Sequence, residues 1–361
     1  MGLHGIQIGL IRFNNVKVPR ENIILGEGEG LKLALMTLNV GRLTLPAASV
    51  GIAKWCLYVA REWSKKRRQW GVPIGEHEAV AQKLSYIATH TFALDAVTWL
   101  TSAMADDKHR DIRLEAAIAK YFTTEVSWKI VDETLQIRGG SGYESSSSLR
   151  GRGVDDWAVE RVLRDVRINR IIEGTSEIMH LFIAREALDP HLSRMKPLLS
   201  GRTPIGAKLM AALKMGIFYA GWYPKLWGGF LTPADIARLP HPLQEHMMYA
   251  RRASRRLARG TFHKMALYQQ KLESKQSILN RIVDIGTELF VITSVCSYAV
   301  MLHKKGQKTA LDLAVGFCLE SRKRVDALFL ETAANNDRVN LGLAKKVLGG
   351  DFTWMENEVI K

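Results

Sequence analysis

The decapeptide RIIEGTSEIM, residues 170–179, sets one acid between two isoleucines and a Gly-Thr-Ser turn. A helix starting at about Thr175 points unpaired backbone N–H groups back at Glu173 and Gly174. Such a terminus favours an anion or the oxygens of a bound group. Ile171, Ile172 and Ile178 are expected to enclose the Glu173 carboxylate. Desolvation makes a carboxylate more basic, which suits removal of a weakly acidic proton from carbon. The alternative is that Glu173 only compensates the helix dipole, and the decapeptide alone favours that blander reading.

Outward from this turn the chain reads as helix. Residues 31–66, 77–106, 112–138 and 174–188 repeat apolar positions at spacings of three and four, with Pro46 expected to kink the first. Gly139-Gly140-Ser141-Gly142 stops the third, ESSSSLRGRGVDD (144–156) reads as a polar loop, and Asp189-Pro190 is expected to end the fourth and mark an internal boundary. Three more long helices follow near 243–272, 276–303 and 309–335. The last two read as a hairpin packing on the first half or on a second subunit. The front differs: IQIGLIRFNNVKV (6–18) alternates apolar and polar residues as one or two strands do, and GEGEG (26–30) closes it. The fold class is mainly α, a few strands feeding a helical bundle. So short a sheet piece has nothing to pair with, so the chain is expected to be truncated at its front.

Composition narrows the chemistry. Cys56, Cys296 and Cys318 lie in apolar stretches without CxxC or histidine partners, as core residues of a reduced compartment do. HExxH, Cys/His ligand spacing, GxSxG and the P-loop are all absent, so metal, serine-hydrolase and NTPase readings fall away. The longest charge-free apolar run, Leu289 to Leu302, has 14 residues, and no leader pattern follows Met1. The expectation is a soluble or peripheral protein. Of the net charge of +15, residues 1–188 hold 25 basic and 22 acidic residues, and residues 189–361 hold 26 and 14. The segment 201–230 mixes Lys208, Lys214 and Lys225 with Phe218, Trp222, Tyr223 and Trp227 and has no acid. That suits an anionic membrane surface, against a buried linker. RRASRRLAR (251–259) reads as a solvated helix face, with phospholipid or nucleic acid as alternatives. No nucleic-acid module accompanies it.

Six motifs then line up in order: LNVGR (38–42), KKRRQWG (65–71), LEAAIAKYF (114–122), LQIRGGSGY (135–143), VERVLRDVRI (159–168) and IIEGTSEI (171–178). Together they resemble the C-terminal half of the acyl-CoA dehydrogenase family. The resemblance implies that residues 1–26 end the family's central β-domain and that 27–188 form its C-terminal helical domain. Residues 189–361 resemble, more weakly, the additional helical region of the very-long-chain branch. It further implies FAD as cofactor, acyl-CoA as substrate, and electron-transfer flavoprotein or a similar acceptor.

In that scheme Glu173 takes the α-proton and the product is a trans-2-enoyl-CoA. A related subgroup carries its base just before the Arg of LNVGR, which is Gly41 here. Asn39, Arg42 and Gly174 match positions that contact the acyl-CoA. Arg67 and Trp70 match a pair that touches FAD, and Thr175, Ser176 and Glu177 match residues along the flavin nucleotide. Gln136, Ile137, Arg138, Gly139 and Gly140 match a stretch that reaches the FAD of a neighbouring subunit, implying a homodimer or higher oligomer. The location implied is cytoplasmic in a bacterium or mitochondrial in a eukaryote, with peripheral membrane contact through 201–230. The competing expectation is a non-catalytic helical scaffold of the same fold that binds lipid or a protein partner.

Overall fold

The computed structural model describes residues 2–357 apart from 108, 200, 202 and 229–230, with backbone alone at 35, 36, 39, 40 and 199. The first helix, α1 (Gly30–Lys66), runs through Pro46 and at 1.5 Å per residue is about 55 Å long. Helices α2 (Glu78–Ala105) and α3 (Arg113–Arg138) pack along it. Val59 of α1, Ile87, Leu94 and Val97 of α2, and Ile130 and Val131 of α3 are fully buried in one core. The apolar face expected on 77–106 is therefore real.

Short helices α4 (Gly140–Tyr143), α5 (Ser146–Gly151) and α6 (Val159–Val166) lead to the decapeptide. The polar loop expected at 144–156 thus contains helix. The Ser145 hydroxyl caps it by accepting the Ser148 N–H at 3.4 Å, and fully buried Leu149 anchors it. Helix α7 (Ser176–Leu199) does not stop at Asp189-Pro190 as expected. Ile183 and Ala184 are buried before the proline, and His191 stacks on Tyr219 just after it. Packing on both sides outweighs the hydrogen bond that a helical proline removes.

The remaining helices are α8 (Ile205–Trp222), α9 (Ala234–Ala237), α10 (His241–Tyr268), α11 (Gln276–Lys304), α12 (Ala310–Ala333) and α13 (Asp337–Leu348). The α11–α12 hairpin packs on the first half of the chain. Phe317 of α12 meets the rings of His90 and Phe122 edge-on, and Tyr298 donates to Asp95 at 3.1 Å. One hydrophobic cluster joins α1, α2, α3, α10, α11 and α12. The arginine run of α10 is not a merely solvated face: Arg251, Arg255 and Arg259 donate in turn to the carbonyls of Leu231, Gly228 and Leu226, strapping down the connection behind α8.

The strands expected at the front are absent among the described residues. Residues 6–13 carry no regular secondary structure, and Ile8, Leu10, Ile11 and Phe13 are each at least 75% exposed. A strand exists only by pairing with another, and no described segment lies beside this one. The one sheet described is the hairpin of β1 (Arg68–Gln69) and β2 (Val72–Pro73), antiparallel with Gln69 opposite Val72.

Candidate active site

The decapeptide folds as a turn with two consecutive left-handed residues, Glu173 at φ 56° and Gly174 at φ 101°. Gly174 could not be another residue without cost, since a Cβ there would lie 2.8 Å from Met179 Sδ. Thr175 caps α7 by accepting the Ile178 N–H at 3.4 Å. Glu177, at the exposed start of the helix, is held below the usual carboxylate range by its own N–H and the Thr175 hydroxyl.

The expected enclosure by isoleucines is wrong: Ile171, Ile172 and Ile178 are all exposed. Helices α1 and α3 do the enclosing instead. Glu173 lies so close to α1 that a Cβ added at Gly41 would overlap its carboxylate. The position of the alternative base is thus the floor under this one, and the two could not coexist. Glu173 Oε2 is buried with no hydrogen-bond partner among the described residues.

Two cations flank the acid. Arg42, buried on α1, lies 4.3 Å over the Phe182 ring, and burial lowers its pKa against the pull of Glu173 and Glu186. Lys120 of α3 is fully buried and donates to the Gly174 carbonyl at 2.7 Å. Burial pushes its pKa down to about 8, opposed by the charges of Glu173 and Glu125. Glu125 in turn accepts from Arg170 at 2.7 Å and from the Ser176 hydroxyl, tying the turn and the start of α7 to α3. Sequence reasoning assigned no role to Lys120 or Glu125. The signal for Lys120 was a lone lysine inside the apolar run AAIAKYF, where a solvated lysine has no place. Asn39 lies on α1, with its side chain outside the described residues.

The other expected site residues gather elsewhere. Arg67 is the C-cap of α1 and is exposed. Trp70 occupies the first corner of the β1–β2 turn at φ 49°, followed by Gly71 at φ 85°. The two positive angles suit a tight hairpin turn, and they leave the indole 87% exposed, touching His77 edge-on. The end of α3 meets this region: Arg138 packs between the rings of Trp63 and Trp157, each 5.1 Å away, and donates to the carbonyls of Trp157 and Asp155. Within QIRGG, Ile137 and Arg138 are therefore buried in their own chain, whereas Gln136, Gly139 and Gly140 are on the surface. Gly139 has φ 60°, and a Cβ on it or on Gly140 would meet nothing within 4 Å, so the backbone is open to a ligand.

Two clusters result, an acid end and a hairpin end. Arg42 and Arg67 are about 37 Å apart along α1, and Lys120 and Arg138 about 27 Å along α3, at 1.5 Å per residue.

The family model for the C-terminal domain of acyl-CoA dehydrogenase matches residues 28–188, which span both clusters. A probable acyl-CoA dehydrogenase of Mycobacterium tuberculosis, FadE10, is 48% identical over the whole of this chain and 56% of its own length. The human mitochondrial very long-chain specific acyl-CoA dehydrogenase is 30% identical over 90% of this chain and 48% of its own. The chain thus spans about half the length of these relatives. The crystal structure of an acyl-CoA dehydrogenase complexed with FAD from Bacillus anthracis superposes with a TM-score of 0.68 over 91% of this chain and 54% of that one, at 24% identity, which shows a shared fold. The mainly helical architecture and the six ordered motifs agree with these matches, and residues 28–188 are the C-terminal domain of the acyl-CoA dehydrogenase family.

Proposed function

We propose that this chain supplies the base and part of the cofactor site of an acyl-CoA dehydrogenase in fatty-acid β-oxidation. The observation that carries the reading is the buried, unpartnered Oε2 of Glu173 on a turn held open by Lys120. Arg42 and Lys120 are the cations whose charges act on this carboxylate, and its unpartnered oxygen is the atom placed to take a proton. An acyl-CoA placed against Glu173 gives up its α-hydrogen as a proton to that oxygen. Arg42 then offsets the charge near the thioester, and the Glu173 backbone N–H is available to its carbonyl oxygen as negative charge develops there.

The residues at both ends suit FAD: an exposed indole and Arg67 for a ring and a phosphate, open glycine backbone at 139–140, and the α7 N-terminus with Thr175, Ser176 and Glu177. Held by these residues, FAD would supply the acceptor for the β-hydride, and the product would be a trans-2-enoyl thioester. The separation of the clusters supports a homodimer or higher oligomer, in which the hairpin end of one copy completes the acid end of another. A long-chain preference rests on the human relative. Electron-transfer flavoprotein or a similar acceptor is the partner this chemistry requires, in the cytoplasm of a bacterium or in a mitochondrion.

Membrane contact through 201–230 is favoured by α8. Ile205, Leu209, Leu213 and Ile217 form an exposed stripe at four-residue spacing with Lys208 and Lys214 beside it. Residues 202, 229 and 230 of that segment lie outside the described residues.

The test is flavin absorbance of the full-length protein with added FAD and hexadecanoyl-CoA. Bleaching of a bound flavin is expected, and Glu173→Gln abolishes the bleaching while the flavin stays bound. Substantial bleaching by Glu173→Gln would overturn the assignment of the base.

A further inference from the structure

Between α3, α7, α10 and α11, under the end of α8, lies an apolar cavity of about 330 Å³. An apolar cavity of about 150 Å³ already takes benzene, and ligand pockets begin at about 300 Å³. Small residues from three helices make the space: Ala184 and Ala187 of α7, Ala258 of α10 and Gly286 of α11. A Cβ built on Gly286 would meet only Leu257, at 3.8 Å, so larger side chains fit there and none is present. The walls are otherwise mostly apolar, with Thr261, Thr287 and His191 the polar side chains, and none of the lining side chains is a lysine, arginine or carboxylate.

One polar group in the lining lacks a partner. Thr287 is 3% exposed, and its hydroxyl makes no hydrogen bond among the described residues. A buried hydroxyl left unpaired is costly, and a threonine in a helix normally satisfies itself on a preceding carbonyl. The other candidates are already engaged or carry no charge. His191 bonds Tyr219 at 2.9 Å through Nδ1, and burial, with Arg194 nearby, lowers its pKa. A charged head inside these walls would be desolvated without a counter-ion. An uncharged oxygen would pair with Thr287 and leave its chain in apolar surroundings.

We propose that this cavity is a second lipid site, separate from the Glu173 turn, that takes a single hydrocarbon chain bearing one uncharged hydroxyl or carbonyl oxygen. The chain lies along the small-residue wall, and the oxygen hydrogen-bonds Thr287 Oγ1. The site does not depend on the activity assigned to Glu173.

The probe is 1-decanol, titrated calorimetrically below its solubility limit, with decanoate as the charged analogue. Saturable binding of one decanol per chain is expected, at least tenfold tighter than decanoate. Gly286→Leu and Ala258→Leu fill the space from two different helices, α11 and α10. Each should abolish binding while the helical circular dichroism and melting transition are retained. Thr287→Val keeps the shape and should weaken decanol about fivefold, the worth of one neutral hydrogen bond, without weakening the fold. Glu173→Gln should bind decanol like the parent. The proposal is overturned by absent saturable binding, by a preference for decanoate, by unchanged binding in a folded filling variant, or by loss of binding in Glu173→Gln.

Discussion

The two ends of the α1–α3 pair are built on opposite principles. At the acid end polar groups are enclosed and mutually engaged: Lys120 on Gly174, Arg170 and Ser176 on Glu125, and the Glu173 carboxylate against Gly41. At the hairpin end Trp70, Gln136, Gly139 and Gly140 face solvent. Proton transfer needs a fixed, desolvated group, and one chain supplies that alone. A surface that receives a large flat ligand has to stay open until the ligand or another copy covers it.

The comparison breaks first if the acid end is less interdependent than its geometry implies. Lys120→Met leaves the Gly174 carbonyl without its donor and removes one of the two buried cations beside Glu173. The expected loss is about 3 kcal/mol, the upper end for taking a charged donor from a buried acceptor. Urea unfolding checks it, and a loss below about 1 kcal/mol would mean that the turn holds itself. Glycine substitution compares the two ends directly. Gly174→Ala combines φ 101° with a clash against Met179 and should cost about 2–3 kcal/mol. Gly139→Ala meets open space but sits at φ 60° and ψ −137°, a conformation few side chains adopt, so backbone strain of about 1–2 kcal/mol applies without a clash. Equal costs in thermal melts would contradict the contrast.

What the sequence disclosed follows the same division between local and non-local causes. The long helices, the glycine stop at 139 and the start of α7 depend on neighbours three or four residues away, and they were legible. Glu173 and Arg42 were singled out through ordered motifs, and the structure brings the two together. The strands at 6–18 were not, because an alternating pattern states a tendency and pairing requires a second strand. Lys120 stood out only as a lysine in an apolar run, and its partner could not be read because the acceptor is 54 residues away. Arg251, Arg255 and Arg259 read as a solvated face because the carbonyls they hold belong to a connection 20 to 33 residues earlier.

A smaller effect comes from the contact joining the acid end to α11. His180 Nε2 lies 2.8 Å from Asp284 Oδ1, which also accepts from Tyr121 at 2.9 Å. Burial opposes the imidazolium, but the Asp284 hydrogen bond and charge outweigh it and raise the His180 pKa. A raised folded-state value means that this stabilisation is complete below the unfolded pKa of about 6.5. It is lost as pH rises through the folded value. Melting temperature should therefore fall across that window, and His180→Gln should flatten the change. A slope unaltered in the variant would place its origin elsewhere.

The smallest stability effect belongs to the hairpin. Trp70 is 87% exposed, with one ring contact to His77, so Trp70→Ala should shift stability by no more than about 0.5 kcal/mol, as surface changes do. An indole held out in water by a tight turn contributes little to its own fold. Its worth has to appear when something flat covers it, and there stacking gives about 0.5–1.5 kcal/mol. The expected result is an unchanged melt together with weaker FAD binding, read by flavin absorbance in the full-length protein. A variant that melts early would make the hairpin structural, and the contrast between an enclosed acid end and an open cofactor end would no longer hold.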